Sequence, residues 1–439
     1  MSPSVALAKE GGDGNRNRPK NLRPLRLAHS TRLNMKRFVL LTNVISPHQL
    51  PLAREIAARV GDDHFRYVYT EVADKDHGGL GWALDVPKWC VHVGAADVDE
   101  WLENADVLLS GLRCFDMFER RAKKGLKNYY MTERWLKPPI GIARLAHPRY
   151  FGYARRLCRM MASGAVVGLP IGVHAARDMA RLCGVMHGDL RCLFRAPEVG
   201  FERRPGGGLA VSGQQLAVSS KQLAVSAKRY CLGKMRMWGY FVEKQLAVSG
   251  KSGENSVKLT TPPLLHSSTL KVLWVGRLLK LKCVDNIIRA IGELAVSSQR
   301  LAVSGSSISL DIYGAGPEEE RLKKMAKGYE DVIRFHRPVS IGEVRKLMRE
   351  HDVYVLASNG YEGWGAVVSE ALEEGMKVIG TYEAGSSATM LPRERLFHAG
   401  DWRALADLLA KEAKGELAEC EIGEWTAGEA AKWFLAVSG

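Results

Sequence analysis

Glu362 and Glu370 stand in the stretch YEGWGAVVSEALEEG with seven residues between them, two of them glycine and none charged. On one continuous helix the two carboxylates would lie about 12 Å apart along the axis, too far to grip one small group. Gly363 and Gly365 argue for a loop instead, giving way near Gly365 or Ala366 to a helix whose free backbone N–H groups form an anion site. Gly363, Trp364, Gly365, Ala366 and Val367 then surround that site. The two acids bracket it, each free to accept hydrogen bonds from hydroxyls at one end of an elongated ligand. A nucleotide diphosphate sugar, with ribose, two phosphates and a hexose in line, has this shape. The same spacing also suits an ordinary solvated helix surface, so the neighbouring elements must decide.

From Leu270 onward LKVLWVG, ISLDIYG, VIRFH, DVYVLAS and KVIGT read as strands. VDNIIRAIGEL, PEEERLKKMAKG, IGEVRKLMREH and the segment after Gly365 read as helices. This alternation builds βαβ units on a parallel sheet, whose ligands bind beyond the carboxyl ends of the strands. After the first of these strands Arg277 and Lys282 flank a tight turn, and a guanidinium fork with an ammonium point charge suits a diphosphate. After the second, Gly314 and Gly316 let the backbone approach a ligand before Pro317 opens a helix. Glu373 and Glu374, just before Gly375 at a helix end, read as solvated.

VGRLLKLK, IYGAGP, DVYVLAS and the Glu362/Glu370 pair together resemble the donor domain of retaining glycosyltransferases of family 4, over about residues 270–380. The first half, from RFVLLTNVISPHQLPLAREI through MWGYFVE, is similar to the sugar-acceptor half of bacterial members. The resemblance implies the α/β GT-B fold, two facing Rossmann-like domains with a cleft between them. It implies that Glu362 contacts the transferred sugar, Glu370 the ribose hydroxyls, and Arg277 and Lys282 the diphosphate. It further implies transfer with retention of configuration, with a nucleotide diphosphate sugar as donor substrate, no cofactor and no bound metal. Three positions depart from the family pattern. Cys283 stands where a glycine usually follows the lysine, Arg337 where a glycine is common, and EAGSSATML replaces the usual glycine pair.

In the first half, FVLLTNVISPHQLPLAREIAARV reads as a strand, a loop from Asn43 to Gln49 and an amphipathic helix. The loop meets the cleft, which makes His48 and Gln49 acceptor-side candidates, with ordinary solvation as the alternative for His48. His174, before a helix in LPIGVHAARDMARL, resembles a cleft histidine of some family members and is a catalytic candidate beside Glu362. Between Glu119 and Arg159, Arg120, Arg121, Lys123, Lys124, Lys127, Arg144, Arg149, Arg155, Arg156 and Arg159 interleave with Tyr129, Tyr130, Trp135, Tyr150, Phe151 and Tyr153. Three readings are open: a solvated face over core aromatics, peripheral contact with an anionic membrane, or nucleic acid, for which no motif is present.

The 439 residues exceed one ordinary core, and 46% hydrophobic with 25% charged residues is the balance of a soluble globular chain. The longest apolar stretch, Ala162 to Ala176, is too short and too broken to span a bilayer. Eight scattered cysteines without a CxxC pair fit a reducing cytoplasm, with the inner membrane face as the place of any peripheral contact by the basic and aromatic stretch. Net charge is +15, of which the unpatterned residues 1–34 carry +5. The motif LAVS begins at Leu209, Leu216, Leu223, Leu246, Leu294, Leu301 and Leu435, beside Gly, Ser and Lys, and reads as neutral loop insertion rather than as a coiled coil, with an adhesive or partner-binding role as the alternative. The expected organisation is a basic extension (1–34), an acceptor-side domain (35–205), a repeat insertion (206–228), the end of the first domain with a linker (229–269), a donor domain (270–420) and a C-terminal helix with repeat tail (421–439). The leading expectation is a hexosyltransferase acting on a glycan or lipid-linked acceptor. The alternatives are a nucleotide-sugar epimerase or phosphorylase on the same fold, or a non-catalytic descendant.

Overall fold

A computed structural model describes residues 36–71, 85–138, 140–188, 269–301, 307–420 and 427–439. The extension before residue 35, the repeats beginning at Leu209, Leu216, Leu223 and Leu246, and the expected boundaries between 205 and 268 lie outside the described residues.

Phe38–Thr42 is buried at all five positions and forms β1. Pro51 sits in the first turn of α1 (Leu50–Val60), where its missing N–H is no loss, and Leu52, Ala53, Ile56, Ala57 and Val60 bury one face. There follow β2 (Phe65–Tyr69), β3 (Cys90–His92), α2 (Val98–Asn104), β4 (Val107–Ser110), α3 (Phe115–Lys123) and β5 (Lys127–Thr132). The first domain continues with α4 (Pro148–Ser163), β6 (Val167–Pro170) and α5 (Gly172–Met186). Its strands are all parallel, in the order β3-β2-β1-β4-β5-β6.

The second domain runs β7 (Thr269–Val275), α6 (Val284–Leu301), β8 (Ser307–Tyr313), α7 (Glu319–Met325), β9 (Ile333–His336) and α8 (Ile341–Glu350). It continues with β10 (Val353–Leu356), α9 (Val367–Glu373), β11 (Lys377–Thr381), α10 (Gly385–Met390), β12 (Leu396–Phe397) and α11 (Trp402–Ala413). Again the sheet is parallel, ordered β12-β11-β10-β7-β8-β9. The expected strands and helices of this half are all present. Strand order reverses between β1 and β4 in one domain and between β7 and β10 in the other, so each sheet has the Rossmann switch point where ligands bind.

The last helix, α12 (Ala427–Ser438), returns to the first domain. Ala430, Ala431, Phe434 and Leu435 join the core around β1, β2 and α1, and Phe434 packs edge-on against Tyr129 with ring centroids 5.1 Å apart. Tyr129 Oη donates to the carbonyl of Val437 (3.0 Å), and Lys127 Nζ to that of Ser438 (3.0 Å). This corrects the loop reading of two repeat copies. The copy at Leu435 forms the end of α12 with its leucine buried, and the copy at Leu294 lies within α6, with Leu294 against the second core. Leu and Ala are strong helix formers, and the apolar stripe of each helix extends into the copy.

The basic stretch from 119 to 159 is mostly an exposed face over core aromatics, partly tied into ion pairs, with one buried exception. Arg121 is fully buried, its Nε donating to Asn128 Oδ1 (2.8 Å) and its Nη groups to the carbonyls of Leu102 and Ala105 (2.6 Å each). Burial pushes its guanidinium down to about 10. Arg120 pairs with Glu103, and Arg156 with Asp116 and Glu119. Tyr129, Tyr130 and Trp135 are core residues, while Phe151, Arg155 and Arg159 form an exposed stripe on α4. Among the described residues no helix is long and apolar enough to cross a membrane.

Candidate active site at the interdomain cleft

The loop after β10 is fixed from several sides before any ligand enters. Asn359 N–H donates to the carbonyl of Leu281 in the turn after β7, and Tyr361 N–H to Asn359 Oδ1. Ser386, at the start of α10, donates its N–H to the carbonyl of Trp364 and its hydroxyl to that of Gly365, both at 2.8 Å. Gly365 adopts a left-handed conformation (φ 83°), and α9 starts immediately after Ala366, so the expected loop-to-helix break is where the sequence places it.

Within this frame Glu362 meets a lysine and Glu370 a histidine. Lys282 Nζ is 2.5 Å from Glu362 Oε2, with both side chains mostly buried. His48 Nδ1, from the loop after β1, is 3.3 Å from Glu370 Oε1. The second contact spans the two domains, so His48 of the first and Glu370 of the second share one wall of the cleft. Arg277 is exposed at the end of β7. Val367 and Trp364 are half-buried against the core of the second domain. Gln49 turns inward, accepting from Tyr67 Oη at 2.9 Å.

Two glycine pairs differ in what they permit. A methyl group on Gly314 would lie 1.9 Å from the carbonyl oxygen of Gly276, and one on Gly316 2.5 Å from that of Leu278. These glycines therefore let the loops after β7 and β8 interlock, with Leu278 N–H donating to Ala315 O. Neighbouring backbone alone already requires glycine at both positions, beside the ligand approach expected from sequence. At Gly363 a methyl group would lie 1.7 Å from Glu133 Oε2, a side chain of the other domain. Cys283 is the only non-glycine with positive φ (49°) among the described residues, which explains why a glycine is the relaxed choice there.

His174 Nε2 lies 2.6 Å from the carbonyl oxygen of Tyr382. The carbonyl only accepts, so Nε2 carries the proton and the ring ties α5 to the second domain. Burial foremost, then the charge of Arg134, lowers its pKa to about 4, leaving the ring neutral at pH 7. One residue earlier, Val173 N–H donates to Thr389 Oγ1 (3.2 Å), and Gly172 abuts the Trp364 ring.

Glu133, Ser386 and Tyr382 were not singled out from sequence. Glu133 had a signal, since it directly follows the strand KNYYMT; the strand-end rule used for the second domain points to it when applied to the first. Ser386 lies in EAGSSATML, noted only as a departure. Tyr382 acts through its carbonyl, which no side-chain pattern announces. Among the described residues no group of three or more His, Cys, Asp or Glu is placed to hold a metal ion.

Residues 262–421 match the family model described as Glycosyl transferases group 1. An uncharacterized glycosyltransferase of Methanocaldococcus jannaschii is 28% identical over 123 residues, an alignment covering 28% of this chain and only 30% of that protein. Among solved structures, the apo form of OtsA superposes with a TM-score of 0.52 at 11% identity, covering 92% of this chain and 99% of that one. The apo form of the lipopolysaccharide outer core galactosyltransferase WaaB gives 0.50 at 13% identity, covering 90% and 94%. The group 1 match lies over the second domain alone, and the likeness to solved structures, which extends over both domains, is one of fold: two facing Rossmann-like domains of the GT-B type.

Proposed function

We propose that this chain is a retaining hexosyltransferase of family 4 type, moving a hexose from a nucleotide diphosphate sugar to a glycan or lipid-linked acceptor. The observation that carries the reading is the convergence of Lys282 with Glu362, and of His48 with Glu370, at the carboxyl ends of two facing Rossmann sheets.

In this reading Arg277 and Lys282 receive the diphosphate. Negative charge grows on the leaving oxygen as the anomeric bond lengthens, and cations fixed there lower the barrier more than they tighten substrate binding. Lys282 turns from Glu362 to the phosphate, which frees Glu362 to accept from hydroxyls of the transferred sugar. Glu370 accepts from the ribose. His174, neutral and committed to Tyr382, keeps the two domains in register around the ligand. The exposed stripe of Phe151, Arg155 and Arg159 supports peripheral contact with an anionic membrane, as a lipid-linked acceptor would require.

Incubating the purified chain with a panel of nucleotide sugars tests the reading. Slow release of free sugar with its anomeric configuration retained is the expected result. Interconversion of nucleotide sugars would replace the transferase with an epimerase, and an absence of binding to every donor would overturn the reading.

A further inference from the structure

Three arginines gather on the first domain beside the cleft, and one carboxylate serves them. Arg134 follows β5, while Arg177 and Arg181 lie four residues apart on α5 and so on one face of it. Asp178 is buried and spent on the loop, accepting from Leu136 N–H at 2.8 Å and lying 3.5 Å from Arg134 Nε. Among the described residues no carboxylate pairs with Arg177 or Arg181. Their Nε atoms are dry and without a partner, so the side-chain stems are packed into protein while no hydrogen bond engages the guanidinium ends. Burial first, then the charges of Arg181 and Arg134, holds Arg177 below the ordinary guanidinium range. Glu383, across the cleft, is engaged by His398 and by the N–H of Ala399.

Such a cluster disfavours the fold, because like charges repel and packed stems lose rotamer freedom. Asp178 and Arg134 suffice to hold the loop, so Arg177 and Arg181 need another account. We propose that Arg134, Arg177 and Arg181 form a binding site for a phosphate group carried by the acceptor. Two positive charges are left unmatched, and a phosphate monoester supplies about −1.5 to −2 near pH 7, a closer balance than a single carboxylate. Arginine forks fit its oxygens in paired contacts. Place supports the assignment to the acceptor. α5 begins against Trp364, His174 touches the donor domain, and Arg177 and Arg181 follow at about 4.5 and 10 Å along the helix. Glu133, next to Arg134, abuts Gly363 of the donor loop. An acceptor anchored here presents its remaining hydroxyls to Glu362. The inference rests on the transferase reading for the word acceptor, but not for the phosphate.

The test is calorimetric titration of the full chain with inorganic phosphate, and separately with a hexose 6-phosphate, at constant ionic strength. The parent is compared with Arg177→Gln/Arg181→Gln and with Arg277→Ala/Lys282→Ala, the latter to remove the donor site. The expected result is a loss of phosphate affinity of at least tenfold in the α5 variant, whose nucleotide-sugar affinity stays within twofold of the parent. Arg181→Gln alone carries the same comparison if the double variant does not fold. Unchanged phosphate binding in the α5 variant, or a loss only in the donor-site variant, overturns the site. Exclusion of the hexose phosphate while inorganic phosphate still binds overturns its assignment to an acceptor. Failure of the transferase reading shows separately, as absence of nucleotide-sugar binding in all three chains.

Discussion

The two domains share one strand order, and both switch points open on the same cleft, yet the loops there are built differently. In the second domain the loops after β7, β8 and β10 interlock through backbone hydrogen bonds at Leu278, Ala315, Asn359 and Leu281, and they carry an ion pair. In the first domain the loop after β1 turns Gln49 inward to Tyr67 and leaves His48 to reach across to Glu370. One side is held by interlocking backbone and an ion pair; the other turns one side chain inward and sends its neighbour across the cleft. In the proposed reading the preorganised charge of the second domain is what lowers the transition-state barrier, while the first domain meets it through single side chains.

The largest break in this comparison comes from Glu362→Gln and Lys282→Ala. Each should lower turnover by about 100- to 1000-fold, the scale for removing one fixed group that acts in the transition state. Gln49→Ala should leave turnover within about threefold, because its side chain serves Tyr67. Steady-state kinetics with saturating donor decide the matter, and similar losses at all three positions would erase the distinction between the domains.

A middle-sized effect comes from His174, where the domains meet. Its folded pKa of about 4 lies below the ordinary 6.5, so as pH falls the unfolded chain takes up the proton first. Stability is therefore retained above about pH 6.5 and declines as pH drops toward 4, by about 2 kcal/mol at pH 5. Denaturant unfolding of the parent should show this decline between pH 7 and pH 5. His174→Gln, which keeps a donor for Tyr382 but cannot titrate, should lack that component. Equal slopes in the two chains would show that the ring is not the buried group described.

Much of the second domain was legible in the sequence, for a physical reason. Its strands are short apolar runs, its helices are amphipathic, and the carboxyl ends of its strands carry Arg277, Lys282 and the Glu362 loop in order. The glycines of YGAGP mark a close approach, and the structure adds neighbouring backbone as a partner, since sequence tells that a Cβ is forbidden but not what forbids it. The first domain yielded less. Its basic stretch mixes Arg121, which caps buried carbonyls, with Arg155, which faces solvent, and charge type alone cannot separate them. In LAVSG the eye is drawn to repetition. Read together with Ala430, Ala431 and Phe434, however, Leu435 and Ser438 continue one buried helical stripe.

The smallest expected effect belongs to His48→Ala, and it bears directly on how the two faces cooperate. The His48–Glu370 contact is 3.3 Å long with the histidine side chain 43% exposed, and solvent-exposed pairs contribute about 0–1 kcal/mol. Loss of the imidazole should therefore barely move the melting temperature. Its effect on ligand binding has a sign that the proposed roles dictate. If Glu370 must accept from ribose hydroxyls, His48 competes with the nucleotide for the same carboxylate, and its removal should raise nucleotide-sugar affinity, by at most about fivefold for 1 kcal/mol. Glu370→Ala should do the opposite and weaken binding. Titration of both variants with the same nucleotide sugar measures the pair. A tenfold loss of affinity in His48→Ala would place the imidazole on the ligand itself, and the first domain would then contribute to donor binding as directly as the second.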